Sequence, residues 1–179
     1  MAGILKVDKY QDFNGNDIMT SDGSGTITMP SGIISGQNYP AFEAYLSSNQ
    51  DLTDNVYTKI QFDTEVFDTD GCYDNATNYR FTPNVAGKYY VYFGIRLQNG
   101  DTADIILDID KNGSTYRNTY FDPVNSQIGT SSLSLNAIID MNGSSDYLEC
   151  FANFDVTSGT PVAQAGTKST YFGAYRIGA

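Results

Sequence analysis

The sequence predicts an all-β protein made of short strands joined by tight turns. Its 179 residues include 17 glycines and 14 tyrosines, and no long segment has the apolar period of a helix. Apolar and polar side chains instead alternate in several short segments, as they do in a strand with one buried face. Hydrophobic residues make up 40% of the chain, which is enough to build one core. We therefore expect one β domain with a short additional segment.

The clearest alternation lies in the strand that begins at Gly87. Its two faces carry Tyr89, Val91 and Phe93 on one side and Lys88, Tyr90 and Tyr92 on the other. The sequence then predicts a loop at residues 99–101, a second alternating strand at 105–110 and a hairpin turn at 111–114. These two strands are expected to form part of a sheet that covers a core.

Further strands are predicted before and after this region. They cover residues 41–47, 55–62, 131–141 and 147–154. Residues 155–168 are small and polar, and we expect them to form an exposed loop. All the predicted segments together amount to about ten strands, enough for two packed sheets.

The spacing of aromatic residues around one glycine is more specific than the strand pattern. The positions concerned are Phe62, Asp68, Tyr73, Phe81 and Gly87. The first three are separated by six and five residues, and the last two by six residues. Together with the closing segment at residues 169–177, this spacing resembles the signature of the C1q domain, a trimeric jelly roll shared with tumour-necrosis-factor-like proteins.

The resemblance covers residues 39–179 and implies a ten-stranded, two-sheet jelly roll that forms a homotrimer. The chain departs from the pattern by one additional residue between Tyr73 and Phe81 and by Val91 where phenylalanine is usual, changes that a turn and a strand accommodate. Trimer interfaces of this family are flat and aromatic, and obligate interfaces generally resemble a core. The implied core or trimer-interface positions are Phe62, Tyr73, Phe81, Gly87, Tyr89, Val91, Phe93, Phe172 and Gly173.

Residues 1–38 differ in composition from the rest of the chain. They contain turn sequences at residues 14–17 and 21–25 and too few apolar residues for a core of their own. We expect an extended N-terminal arm that is flexible or becomes ordered against copies of itself. Residues 4–16 resemble the start of structural proteins, fibres or knobs, from tailed phages of marine bacteria. That resemblance implies an arm for attachment to other virion proteins or for trimerisation.

Composition and charge exclude several classes of function. The net charge of −11 argues against binding to a nucleic-acid backbone, and no segment is apolar enough to predict membrane insertion. The absence of histidine removes the commonest general base, so we expect no enzymatic activity. Cys72 and Cys150 lack metal-site spacing; we expect two buried reduced thiols, with a disulfide as the alternative.

Calcium is the one cofactor that the sequence suggests. Residues 108–113 resemble the first half of a calcium-binding loop, but Thr119 stands where a bidentate glutamate is needed, and a hairpin explains the segment better. Some C1q-like trimers bind calcium near the three-fold axis. The resemblance puts Asp104 at one ligand position with Asp101 nearby, while the hairpin tip at residues 111–113 supplies no acid.

Three aromatic residues after the predicted hairpin are candidates for ligand binding. Tyr116, Tyr120 and Phe121 could form a sugar- or protein-binding face, because an aromatic ring offers an apolar platform and tyrosine adds a polar tip. The alternative is ordinary packing at the edge of a sheet.

The resemblances lead to one functional expectation with two alternatives. We expect a phage virion protein, assembled in the host cytoplasm, whose trimeric knob binds a bacterial surface glycan or protein as an adhesin or fibre tip. One alternative is a capsid-decorating or fibre-trimerising module without a receptor. The other is a bacterial C1q-like surface protein.

Overall fold

The computed structural model describes residues 8–28, 40–123 and 128–178. The chain divides into two compact units, with the boundary between Gln37 and Asn38. All regular elements of the described residues are β-strands, as the sequence predicts. No helix in this part of the chain has the length and apolarity needed to cross a membrane.

The first unit contains a small antiparallel sheet. Its strands are β1 (Lys9–Gln11), β2 (Asp17–Ser21) and β3 (Ile27–Thr28), in the order β1-β2-β3. The Asp12 carboxylate accepts backbone hydrogen bonds from Asn14 and Asn16, and Asp22 does the same for Ser24 and Thr26. These aspartate-capped turns fold residues 8–28 back on themselves. The described part of the predicted arm is therefore a meander rather than an extended segment, while residues 1–7 and 29–38 lie outside the described residues.

The described residues of the second unit form eleven strands, where the sequence suggested about ten. They are β4 (Ala41–Tyr45), β5 (Gln50–Asp51), β6 (Thr58–Lys59), β7 (Thr64–Asp68), β8 (Tyr73–Asp74), β9 (Arg80–Phe81), β10 (Gly87–Lys111), β11 (Ser114–Phe121), β12 (Thr130–Met141), β13 (Leu148–Ala163) and β14 (Tyr171–Gly178). Several of them, such as β5, β6, β8 and β9, are only two residues long.

The long strand β10 belongs to two sheets. Residues 87–98 pair with β12 and residues 88–94 with β14, which continues the first sheet through β4 to β7. Residues 105–111 pair with β11, and residues 97–111 pair with β13, in the second sheet. The remaining short strands β5, β6 and β9 attach to β13, and β8 pairs with β9.

The loop predicted at residues 99–101 is wrong, because the chain stays in strand conformation there. Asn99 has a positive φ of 66°, and the pairing of β10 with β13 shifts register between Gln98 and Gly100 and again on both sides of Thr102. Such bulges bend and twist a strand, which lets one strand pass from the first sheet to the second. The polar and glycine residues that suggest a loop supply this bend.

The loop predicted at residues 155–168 is also partly wrong. Strand β13 continues to Ala163, and Val162 and Ala163 are buried. Backbone pairing with β10 and β5 holds this small, polar segment in the sheet. Pairing between strands distant in sequence therefore overrides the local composition.

Aromatic side chains fill the space between the two sheets. The Phe42 ring stacks on Tyr73 and Phe81, with ring centroids 4.6 and 4.5 Å away, and Phe172 meets it edge-on at 4.9 Å. Cys72 and Cys150 are free buried thiols, as expected. Because burial raises the pKa of Cys150 well above its usual value, this thiol is unreactive at neutral pH.

One carboxylate organises the turn between β8 and β9. Asp74 accepts backbone hydrogen bonds from Ala76, Thr77 and Asn78 at 3.1, 2.9 and 3.1 Å. Hydrogen bonds from Thr77 and Ala76 are the main cause that lowers the pKa of Asp74 to about 2. A carboxyl with a lowered pKa stabilises the fold above its unfolded pKa, and this contribution disappears as the pH falls through the folded pKa.

We expect an Asp74→Ala substitution to lower the free energy of unfolding by about 1–2 kcal/mol at pH 7, as the loss of a helix-capping aspartate does. The difference from the wild type should shrink between about pH 4 and pH 2. Urea unfolding across this pH range measures it. Asp70→Ala is the matched control, since the Asp70 carboxylate accepts no hydrogen bond from a described residue. An equal loss of stability in Asp74→Ala and Asp70→Ala would contradict the role of the Asp74 carboxylate in the turn.

Candidate functional site

The residues expected at the core or the trimer interface lie inside a single chain. Tyr73 is 6% exposed, and the other side chains among them have no exposure: Phe62, Phe81, Tyr89, Val91, Phe93 and Phe172. The two glycines, Gly87 and Gly173, lie at partly buried and buried backbone positions. These aromatic side chains build the sandwich, and another set of aromatic residues faces outward.

Four tyrosines form a continuous surface on the outer side of the first sheet. We call this surface the tyrosine face and define it as Tyr90, Tyr92, Tyr171 and Tyr175. Ring centroids lie 5.5 Å apart for Tyr90 and Tyr175 and 6.2 Å apart for Tyr92 and Tyr171. Tyr90 and Tyr92 are also neighbours, with centroids 6.2 Å apart. The four rings therefore form one connected apolar layer with hydroxyl groups at its tips.

Two glycines let these rings lie across the sheet. Gly94 pairs with Tyr171, and Gly173 pairs with Tyr92. A Cβ atom on Gly94 would overlap the Tyr171 ring, and one on Gly173 would overlap the Tyr92 ring. Because no side chain stands at either position, each ring covers the backbone of the neighbouring strand.

A hydrogen bond fixes the position of Tyr92. Its hydroxyl crosses Gly173 and donates to Oε2 of Glu43 on β4, at 2.7 Å. Burial, together with this bond to a carboxylate, raises the pKa of Tyr92. The hydroxyl therefore stays protonated and remains a donor at neutral pH.

Further apolar side chains border the tyrosine face. Tyr175 is 40% exposed, and Ile138, which lies opposite Tyr90 on β12, is 54% exposed. Phe67 lies on β7, at the far edge of the first sheet, where it pairs with Glu43, and it is 45% exposed. Exposed aromatic and aliphatic side chains on β7, β14, β10 and β12 make this face a candidate interaction surface, to which Glu43 on β4 and Asn136 on β12 add polar groups.

A Gly173→Ala substitution tests the packing of this face. Since a Cβ atom would displace the Tyr92 ring and break its bond to Glu43, we expect the free energy of unfolding to fall by about 1–3 kcal/mol. Gly129→Ala is the control, because a Cβ atom there meets no atom of a described residue within 4 Å. Chemical denaturation of both variants measures the difference. A stability equal to that of the wild type in Gly173→Ala would contradict the packing.

Sequence reasoning placed Tyr90 and Tyr92 on the second face of their strand but did not assign them a role. It did not single out Tyr171 or Tyr175. A usable signal was present, because a strand with one solvent-facing side normally carries polar residues there. Tyrosines in both phases of the strand at residues 88–93 indicate that both of its faces are covered.

The three aromatic residues predicted to bind a ligand do not share one face. The Tyr116 hydroxyl donates to the backbone oxygen of Ile138 at 3.3 Å, which places it over the gap between edge strands β11 and β12. Tyr120, 59% exposed, pairs with Ile106 and donates to Asp104 on the outer side of the second sheet. Phe121 lies in the opposite phase and lines a cavity of about 220 Å³ with Ile128 and Leu133.

The two acids expected to hold calcium are engaged by protein donors. Asp101 accepts a hydrogen bond from the Ser158 hydroxyl at 2.7 Å. Burial and the nearby carboxylates Asp155 and Asp122 raise the pKa of Asp104, while the Tyr120 hydroxyl lowers it. No group of three acidic, histidine or cysteine side chains within the described residues is arranged to hold a metal ion. Calcium at Asp101 and Asp104 stays a prediction.

The two sheets, joined by a strand that runs through both, define the class of this protein as a β-sandwich of the jelly-roll type. The model of the C1q domain matches residues 41–175. The chain belongs to the C1q domain family. No curated protein is significantly similar to it in sequence.

Solved structures of the same fold are distant in sequence. The globular domain of the zebrafish complement 1qA protein is 16% identical, with a TM-score of 0.55 over 77% of this chain and 97% of that one. A tumour necrosis factor, Eiger of S. frugiperda, is 11% identical, with a TM-score of 0.56 over 78% and 92%. Murine APRIL is 11% identical, with a TM-score of 0.53 over 76% and 98%. At this level of identity the likeness concerns the fold alone.

Proposed function

We propose that this chain is a phage virion protein that forms a homotrimeric knob and binds a bacterial surface glycan or protein. The tyrosine face is the observation that carries the proposal. It is broad, apolar and rigidly packed, which suits a permanent contact with another copy rather than contact with solvent. Family membership supports the trimer, because C1q and tumour-necrosis-factor relatives are trimers.

A three-fold ring needs two different surfaces on each copy, since its contacts run head to tail. The tyrosine face is the first of these surfaces. The second is the open edge of the sandwich between β11 and β12, where Tyr116 is 45% exposed and Phe121 is 36% exposed. We propose that this edge of one copy packs on the tyrosine face of the next.

The first unit has the role of attaching the knob to the particle. The support is the resemblance of residues 4–16 to the starts of phage fibre and knob proteins. The small sheet adds an apolar site lined by Tyr10, Met19 and Ile27, in a cavity of about 280 Å³. A sheet this small gains stability when such a face is covered by a partner.

Binding to a cell would be multivalent. Three equal sites on one rigid trimer add avidity, so each site needs only modest affinity. Tyr120 is the first residue to test on the receptor side, because it is the most exposed of the three candidate aromatic residues. The proposed function involves no catalytic step.

Cell binding distinguishes this function from its alternatives. The fluorescently labelled full chain is expected to label host bacteria and to compete with infection by the phage. Tyr120→Ala is expected to weaken labelling, while Val56→Ala, at another exposed loop position, leaves it unchanged. Binding to purified particles through residues 1–38 without labelling of cells would favour a capsid-decorating or fibre-trimerising module. A gene among cellular rather than virion genes would favour a bacterial surface protein.

A further inference from the structure

A polar cleft lies where β10 bends from the first sheet into the second. Its volume is about 270 Å³, and most of the atoms that line it are polar. Its side chains are Gln98, Asn99, Asp101, Thr130 and Ser158, and glycines complete the lining. None of these residues belongs to the tyrosine face or to the three aromatic residues predicted to bind a ligand. The cleft is therefore a separate candidate site.

Strand register explains how the cleft forms. Gln98 lies opposite Thr130 at the beginning of β12, and Asp101 lies opposite Ser158 on β13. Between these two pairs the register of β10 on β13 shifts at Asn99, whose φ is 66°. A bulge of this kind leaves the additional residue outside the ladder and bends the strand. The bend brings polar side chains from three strands to one hollow.

Two glycines expose the backbone in this hollow. Gly100 and Gly159 lie opposite each other on β10 and β13. A Cβ atom on Gly159 would overlap the backbone oxygen of Asn99, and one on Gly100 would overlap the Val156 side chain. Close packing of the two strands therefore excludes a side chain at either position, and the backbone forms part of the cleft surface. A ligand in the cleft approaches the backbone directly.

The side chains of the cleft offer both hydrogen-bond donors and acceptors. Oδ2 of Asp101 accepts a hydrogen bond from the Ser158 hydroxyl at 2.7 Å, and its backbone oxygen accepts one from Thr157 at 3.1 Å. These two bonds hold Asp101 in place and leave Oδ1 as an acceptor. Gln98 and Asn99 each add an amide, which donates through its nitrogen and accepts through its oxygen. This set suits hydroxyl groups, because each hydroxyl also donates and accepts.

The charge and the size of the cleft restrict the class of ligand. Among the described residues, no lysine or arginine lines the cleft, and the Asp101 carboxylate repels an anion. An apolar ligand would leave the polar lining without partners. The volume lies just below the range of about 300–1,000 Å³ that is typical of small-molecule sites, which suits a single ring. A small neutral ligand with several hydroxyl groups meets all of these conditions.

We propose that this cleft binds one ring of a neutral sugar through adjacent hydroxyl groups. Oδ1 of Asp101 accepts a hydrogen bond from one hydroxyl, and the Asn99 amide bonds to the next. The inference rests on the proposed function and selects a neutral glycan from the receptors named there. Because a single ring makes few contacts, we expect a dissociation constant of about 1–10 mM for a free sugar. Three clefts on one trimer would raise the avidity for a glycan surface.

Saturation-transfer NMR of the full chain with free glucose, galactose and mannose tests the site. A chelator in the buffer excludes binding through a metal ion. We expect at least one of the three sugars to bind. The uronic acid of that sugar differs from it by one carboxylate and should bind at least about tenfold more weakly, because Asp101 repels the added charge. Absence of binding by all three sugars would overturn the site, as would equal binding of the sugar and its uronic acid.

Variants of Asn99 and Asp101 locate the binding. Asn99→Gly removes the amide but retains the positive φ, which glycine adopts readily, and should weaken sugar binding by about threefold to tenfold. Asp101→Ala should weaken it by at least about tenfold, since it removes a charged acceptor. Asn112→Gly is the matched control, because Asn112 also has a positive φ, 55°, but lies in the hairpin between β10 and β11. Its sugar binding should equal that of the wild type. Unchanged binding in Asn99→Gly and Asp101→Ala would overturn the site.

Labelling of host bacteria separates failure of this site from failure of the proposed function. Sugar binding that weakens in Asn99→Gly, on a chain that does not label host cells, would support the cleft and contradict the receptor role. Labelling of cells by a chain that binds none of the three sugars would overturn the cleft and leave the proposed function standing. Labelling by Asn99→Gly at the level of the wild type would do the same.

Discussion

A Tyr90→Glu substitution is expected to convert the proposed trimer into a folded monomer. Tyr90 lies between Tyr175 and Ile138 at the centre of the tyrosine face. A glutamate at this position would therefore be buried without a partner in each subunit contact of the proposed trimer. An unpaired buried charge costs several kcal/mol, more than a modest interface can absorb. Light scattering of the variant should give the mass of one chain, 19.6 kDa.

Val56→Glu is the control for this experiment. Val56 is 48% exposed on a loop of the other sheet, so a glutamate there adds the same charge outside the proposed contact. We expect this variant to keep the mass of the wild type. Circular dichroism should show that Tyr90→Glu keeps its β structure, because the side chain points away from the core. A trimeric Tyr90→Glu variant would rule out the tyrosine face as the contact.

A Phe42→Ala substitution is expected to cause the largest loss of stability of any single core change. Phe42 is fully buried and contacts Tyr73, Phe81 and Phe172, so its removal leaves a cavity among three rings from separate parts of the chain. Replacing a buried phenylalanine with alanine costs about 3–5 kcal/mol. Urea unfolding of the wild type and the variant measures the difference.

Phe67→Ala is the matched control for the core prediction. This phenylalanine lies on β7, beside β4, but is 45% exposed. We expect Phe67→Ala to lower the free energy of unfolding of the unassembled chain by less than about 1 kcal/mol. Equal losses in the two variants would mean that the ring cluster around Phe42 is not the centre of the core.

Local periodicity made the central strands predictable. In β10, strict alternation identified Tyr89, Val91 and Phe93 as one face, and all three are fully buried. Alternation predicts burial because successive side chains of a strand point to opposite faces of the sheet. The spacing from Phe62 to Gly87 further identified the family, since its aromatic residues meet in one core.

Other features depend on contacts between distant segments. The bend at Asn99 exists because β10 has partners in both sheets, and nothing local distinguishes it from a loop. Tyr171 and Tyr175 join Tyr90 and Tyr92 only through the register of β14 on β10. Asp108 is buried by side chains and a loop from distant parts of the chain. In the sequence, by contrast, it lies on the polar side of an alternating strand, where an exposed residue is expected.

Assembly of three copies through the tyrosine face determines the mass of the full chain in solution, so this mass is the first quantity to measure. Multi-angle light scattering of the wild type, at several concentrations, is predicted to give three times the chain mass of 19.6 kDa. Tyr90→Glu should give one chain mass under the same conditions. A wild-type protein that remains monomeric throughout would contradict the trimer and, with it, the multivalent knob.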